Sequence, residues 1–252
     1  MSTSIDAVVS RQAPRGPSST TGGAASDGPS STTGEYDEAW VTRLSARFGL
    51  AFTICQVGVM VVMAVVVLPH AGSPNDPALE RGQNVLDAED LYRAGNYAFM
   101  IAGTLLLGFL GAVHLKLRKA DATGVLATVA VAAGTLLTLI WPLAGMLHDV
   151  ALDTAADGTD LRILGGWDAV APYSLAFSAM PRVFFVGAIV LGLRMLGTAP
   201  WLQRTGIVLL PLSLAGTATL VAGAFFPLLA LSTLGYELWI GAVAWHWLRT
   251  SR

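Results

Sequence analysis

Leu228-Leu229-Ala230-Leu231-Ser232-Thr233-Leu234-Gly235-Tyr236-Glu237-Leu238-Trp239-Ile240-Gly241-Ala242-Val243-Ala244-Trp245-His246-Trp247 is an apolar run with a single carboxylate, Glu237, near its centre. About twenty apolar residues are what an α-helix needs to cross the core of a bilayer, so this stretch is expected to be a transmembrane helix with Glu237 close to mid-membrane. An acid at that depth is costly and needs a partner or a water-filled cavity. At helical spacing Glu237 shares a face with Thr233, Leu234, Ile240 and Gly241, with Ala244 a turn further on. Small residues let helix backbones approach, so this stripe is expected to face the interior of a bundle and not lipid.

The rest of the chain is built in the same way. It is 54% hydrophobic and 13% charged, with a mean hydropathy of +0.60, which places it among membrane proteins and not soluble domains. A net charge of −2 offers no basic surface to a nucleic acid. The single cysteine, Cys55, rules out an internal disulfide and any paired-cysteine metal or redox motif. Placed in an apolar run, it reads as packing.

Working back from the last helix, the apolar runs predict an all-α polytopic membrane protein. Its six transmembrane helices lie at about 48–68, 91–115, 124–147, 172–196, 205–224 and 228–247. Residues 1–40 are expected to be a disordered tail, rich in Ser, Thr, Gly and Pro, in which Gly16-Pro17-Ser18-Ser19-Thr20-Thr21-Gly22 recurs as Gly28-Pro29-Ser30-Ser31-Thr32-Thr33-Gly34. The start lacks the basic segment and short apolar core of a signal peptide, so the first span is expected to be an uncleaved anchor. Pro142 is expected to kink the third span by leaving the Thr138 carbonyl without its helical partner. Two polar, acidic segments, 70–91 and 148–171, separate spans. Arg43, Arg47, Lys116, Arg118, Lys119, Arg194, Arg204, Arg249 and Arg252 fall on one side of this arrangement, and Arg81, Arg93 and Arg162 on the other. Basic residues mark the cytoplasmic side, so the expected location is the cell membrane, multi-pass, with both termini cytoplasmic.

Arg182 is the one Lys or Arg that falls inside an apolar run, away from its ends. If the fourth span starts at Pro172, Arg182 lies ~15 Å deep, level with Glu237, and the two are expected to pair. The pair reads either as a proton, cation or substrate site or as a structural ion pair. A rival reading makes Pro181 the first helical residue and leaves Arg182 at the outer interface. Asn96 in the second span could bond across helices or line a pathway. On the outer side His148, Asp149 and His70 form a weaker group. No HExxH or paired spacing supports a metal there, and capping of helix ends explains the same residues. Trp201, Arg204, Trp245, His246, Trp247 and Arg249 form an aromatic and basic belt suited to lipid headgroups. There is no nucleotide-binding loop and no GxSxG or HExxH hydrolase motif, and the two halves of the chain show no repeat.

Near the end, a basic-ended fourth span is followed by Ala199-Pro200-Trp201-Leu202 and Gly206, and the last span holds Glu237 and closes on Trp247-Leu248-Arg249. Over the final third this pattern resembles a bacterial family of uncharacterised six-span membrane proteins of the domain-of-unknown-function type. The resemblance implies no particular activity. The first functional expectation is a structural or regulatory integral membrane protein, without catalysis or cofactor, working among membrane lipids with a membrane-protein partner or further copies of itself. The alternatives are a small transporter or proton-coupled permease using Glu237, Arg182 and Asn96, and a lipid-modifying enzyme using His148 and Asp149 as acid and base.

Overall fold

The computed structural model describes residues 32–67, 69, 76–158, 160–168 and 170–251. Most of the expected tail, and His70, lie outside the described residues. Within them the chain is almost wholly helical and no strand occurs, in line with the all-α expectation.

Helix α1, Thr32–Val62, continues through a π-helical turn, Met63–Val67. It starts inside the stretch expected to be tail. The first N–H groups of a helix have no partner within it, so a membrane helix does better to begin out in water than in lipid. Glu38 in this added part meets Lys119 at 2.9 Å. Helices α2, Ala78–Asp87, and α3, Glu89–Ala120, follow, and then α4, Val125–Ala156. With 32 residues each, α3 and α4 are about 48 Å long, well beyond the ~30 Å that the hydrocarbon layer of a bilayer would take up. The turn between them is set by Asp121, whose carboxylate accepts from Thr123 Oγ1 at 2.6 Å, Thr123 N at 2.9 Å and Leu126 N at 3.0 Å. Gly124 completes it at φ +75°, a value that favours glycine. The hydrogen bonds from Thr123, with those from the first turn of α4, hold the Asp121 carboxyl below the ordinary carboxylate range.

Helices α5, Leu161–Trp167, and α6, Val170–Met195, come next, then α7, Pro200–Gly216, and α8, Phe226–Thr250. Five helical segments are long and apolar enough to cross a membrane: Glu38–Val66, Glu89–Ala120, Val125–Ala156, Tyr173–Met195 and Gly223–Thr250. The run expected as a fifth span, 205–224, differs. It forms α7, 17 residues or about 25 Å, and then breaks into two short 3-10 segments, Thr217–Leu220 and Gly223–Phe225. The glycines at 216 and 223 and the β-branched Thr217, Thr219 and Val221 weaken the helix there.

The long helices close into a ring. α3 packs on α4, α4 on α6, α6 on α7 and α7 on α8. α1 completes it, meeting α3 where Phe48 covers Gly108 and α8 where Thr53 covers Gly241. Phe109, Phe185, Tyr236, Trp239 and Ile240 fill the centre, while Ile54, Leu139, Phe184 and Val208 point outward. Apolar residues on both the inside and the outside are what a lipid solvent calls for. Pro142 lies inside α4, and the Thr138 carbonyl it leaves unbonded faces Gly103, where a Cβ would come within 2.6 Å of that oxygen. The proline turn is thus covered by α3 at Gly103, the one position there with no side chain to obstruct it.

The acidic segments are not simple loops. α2 and α5 cross one another over the ends of α3 and α4, at Gly82 and Gly165. A Cβ on Gly82 would collide with the Leu161 carbonyl, and one on Gly165 with that of Ala78. Val85, Tyr92, Leu152 and Leu164 form a small core beneath this cap.

Candidate functional site

Arg182 and Glu237 are each 1% exposed. Pro181 lies inside α6 and does not start it, so Arg182 is about a dozen residues into the helix, as the deep reading expected. The expected direct pair is not formed. Arg182 Nη1 donates to Thr233 Oγ1 at 3.0 Å and to Ser232 Oγ at 3.5 Å, and Nη2 donates to Ser178 Oγ at 2.8 Å. The guanidinium also lies over the Tyr236 ring, 5.0 Å from its centroid. Among the described residues no ion pair within 4.0 Å joins it to Glu237. The side chain reaches α8 at Ser232 and Thr233, about one turn before Glu237, and its hydrogen bonds are taken up there.

The three hydroxyls suit a cation for a local reason. Ser178 donates its own hydrogen to Leu175 O at 2.7 Å, Ser232 to Leu229 O at 2.8 Å and Thr233 to Leu229 O at 2.9 Å. Serine and threonine within a helix commonly bond back to the preceding turn. Their hydrogens so disposed, all three present only lone pairs to Arg182. The charge is met by oriented dipoles and a ring face.

Glu237 is held differently. Gln56, the one strongly polar side chain of the first span, donates from Nε2 to Glu237 Oε1 at 3.2 Å. Thr53 Oγ1 donates to the Glu237 backbone carbonyl at 2.9 Å and ties α1 to α8 at the same point. Glu237 Oε2 and Gln56 Oε1 are buried and have no hydrogen-bond partner among the described residues, as do Arg182 Nε and the Tyr236 hydroxyl. In the middle of the ring, then, an acid and a base sit a turn apart with hydrogen-bonding capacity to spare. Such a centre can bind a proton, a water or a small polar molecule.

The structure brings Asn96 to the outer group and not to this one. Asn96 Nδ2 donates to Asp149 Oδ1 at 2.7 Å and lies 3.4 Å from His148 Nδ1. Asn96 and His148 are buried beneath the cap. The Tyr92 ring packs on the imidazole at 4.9 Å between centroids, and its hydroxyl donates to Asp168 at 3.3 Å. Arg81 approaches Asp168 at 4.0 Å and donates to the Gly165 carbonyl. No group of three or more His, Cys, Asp or Glu able to hold a metal occurs among the described residues. A sideways hollow of about 370 Å³ between α4 and α6, bordered by Ala132, Leu136, Met180, Pro181 and Phe184, is apolar and faces outward. At the other end of the bundle Arg249 lies over Trp245, 4.4 Å from the ring centroid, as an interfacial belt would have it.

Sequence reasoning named Arg182, Glu237, Asn96, His148 and Asp149 but missed Ser178, Ser232 and Thr233 as the partners of Arg182, and Gln56 as the partner of Glu237. Two signals were available. Ser178 stands four residues before Arg182 on one helical face, and Gln56 is a lone amide in an apolar span, where such a group must find a bond. Comparison with protein families, with curated proteins and with solved structures finds no match to this chain.

Proposed function

We propose that the chain is a six-span protein of the cell membrane with both termini cytoplasmic, acting as a small proton-coupled permease in which Glu237 carries the proton and Arg182 is a fixed positive charge. One observation carries this reading. Gln56 and Glu237 are joined by one hydrogen bond while the other oxygen of each, Gln56 Oε1 and Glu237 Oε2, is buried without a partner. An amide facing a carboxyl group can form two bonds, N–H to one carboxyl oxygen and carboxyl O–H to the amide oxygen. A proton on Glu237 would supply the donor that such a second bond requires. A carboxyl group set inside an apolar span is a natural place to take up and release a proton.

The remaining parts fit around that centre. α7 with its 3-10 extension serves as the sixth span, and the excess of Lys and Arg at the end holding Lys116, Arg204 and Arg249 sets the orientation. The cargo is a small polar molecule able to bond Arg182 Nε and the Tyr236 hydroxyl. Membership of the bacterial six-span family is likewise a proposal, resting on the Ala199-Pro200-Trp201-Leu202 and Trp247-Leu248-Arg249 segments.

The test is proton uptake by liposomes containing the purified chain and a trapped pH-sensitive dye, driven by a potassium diffusion potential. Wild-type protein is expected to acidify the lumen and Glu237→Gln to fall to the rate of empty liposomes. A second reading, a structural or regulatory membrane protein with a membrane partner, is favoured by the near-complete burial of both residues. Equal rates for wild type, Glu237→Gln and empty liposomes would decide for it.

A further inference from the structure

Beneath the cap, Asn96 uses one amide nitrogen on two neighbours. Nδ2 carries two hydrogens. One is donated to Asp149 Oδ1 at 2.7 Å and the other faces His148 Nδ1 at 3.4 Å. An imidazole nitrogen that faces an N–H is the accepting nitrogen, so the proton of the neutral ring is on Nε2. His148 Nε2 is buried and without a partner among the described residues. The ring thus has a lone pair committed only to a long contact with Asn96, whose amide also bonds the Asp149 carboxylate, and no hydrogen bond at Nε2.

We propose that Asn96, His148 and Asp149 form a second proton-binding site, on the capped side of Glu237, with the Asn96 amide as its switch. The proposal rests on the permease reading in so far as it names where the proton is received. A proton taken up at Nδ1 creates an N–H that faces the Asn96 N–H. The clash is relieved when the amide turns over and Oδ1 accepts from Nδ1–H. That turn puts Oδ1 where Nδ2 had been, 2.7 Å from Asp149 Oδ1, so the half-buried Asp149 side chain swings off the amide as the hydrogen bond is lost and its carboxylate becomes a counter-charge to the imidazolium. No covalent bond other than N–H changes, and the group of three gains one positive charge.

The surroundings suit this role. Tyr92 covers one face of the imidazole and is itself tied to Asp168. The charged groups around the site are Arg81 on α2, Glu89 and Arg93 on α3, Asp149 and Asp153 on α4, and Asp168 after α5. Arg93 binds Glu89 and Asp153, and the carboxylates that answer a charge on His148 are Asp168, the stronger, and Asp149. Cys55 on α1 touches the Ala98 carbonyl on α3 at 3.6 Å, so the helix that carries Asn96 also packs on the helix that carries Gln56.

The experiment is nuclear magnetic resonance of the full chain in lipid nanodiscs with ¹⁵N-labelled histidine and asparagine, titrated over about pH 5 to 8, the range in which histidines change charge. His148 is assigned by the signal lost in His148→Gln. The expected result is one reversible step in which Nδ1 of His148 passes from unprotonated to protonated and the Asn96 side-chain amide signals shift with it. In Asn96→Leu, which has no switch, the step is expected to move to another pH. Nδ1 unprotonated throughout, or titration with the Asn96 amide unmoved, would overturn the inference. Glu237→Gln is expected to leave the step in place. If proton uptake depends on Glu237 and His148 does not titrate, this inference alone fails. If His148 titrates as described and uptake is indifferent to Glu237, the permease reading fails and the site stands.

Discussion

The capped end and the centre of the ring handle charge in opposite ways. Under the cap, charges meet charges: Arg93 bonds Glu89 at 2.7 Å and Asp153 at 2.6 Å, and Arg81 approaches Asp168 at 4.0 Å. In the ring, Arg182 and Glu237 are both buried, and each is met by neutral groups, the one by three hydroxyls and a ring, the other by an amide. Near water an ion pair forms readily and contributes little, because solvent competes for both partners. Away from water the field of a charge is strong, and dipoles held in place by a helix answer it at no further cost of ordering. Keeping the two central charges a turn apart leaves each free to respond to something else.

The sharpest way to break this contrast is to remove the central cation. Arg182→Ala leaves three hydroxyls and the Tyr236 ring without the cation they hold and opens a large void, and is expected to lower stability by about 2–5 kcal/mol, as for other large-to-small changes in a packed interior. Denaturant unfolding in detergent micelles reads this. Glu237→Ala added to Arg182→Ala is expected to restore part of the loss, since the two charges still feel one another across a turn. A double variant less stable than either single would show that they do not.

The cap comes next. Gly82→Ala or Gly165→Ala places a methyl group on a backbone carbonyl and is expected to cost about 1–3 kcal/mol, confined to α2 and α5. Faster amide exchange in those two helices, with α6 and α8 unchanged, would sharpen the boundary between the regions. Thr53→Val, which removes the bond to the Glu237 carbonyl, is expected to cost ~0.6–1.7 kcal/mol. Arg93→Ala should be the mildest, below ~1 kcal/mol and smaller still at high salt, because water reaches its ion pairs. A loss as large as that of Arg182→Ala would erase the distinction.

The loop between α3 and α4 offers a pH test. The Asp121 carboxyl is held below its ordinary value by hydrogen bonds from Thr123 and the first turn of α4. A depressed value means that the folded state gains from the ionised form. The contribution is present above about pH 4, the ordinary range for aspartate, and is lost as pH falls through the lower folded-state value. Asp121→Ala is expected to be less stable than wild type at neutral pH and to converge on it in acid. A gap that persists or widens in acid would contradict the assignment.

Apolar run length made the helical fold legible, and the small residues around Glu237 made its burial within the bundle legible. Run length also made α7 look like its neighbours, because hydropathy does not register that glycines and β-branched residues after Leu214 end a helix early. The cap was hidden for the opposite reason. α2 and α5 are short and polar, and their contact depends on backbones meeting at Gly82 and Gly165, which no periodicity marks. Arg182 and Glu237 were visible as the rare charges of apolar runs, and their likeness in depth suggested a pair. Which groups answer them depends on helix rotation and on a reach of one turn, and the sequence carries neither. Asn96 was grouped with the central residues because it too is a polar side chain set in an apolar run. Packing of α3 on α4 assigns it instead to His148 and Asp149.

The most direct test of the claim that Glu237 is a proton site is infrared difference spectroscopy of the full chain in lipid, comparing acid and alkaline spectra and subtracting the same difference for Glu237→Gln. The expected result is a carboxyl C=O stretch that belongs to Glu237 and appears and disappears reversibly with pH, accompanied by a shift in a glutamine amide band that is lost in Gln56→Leu. A Glu237 signal that stays in one form throughout, with the protein folded, would contradict it.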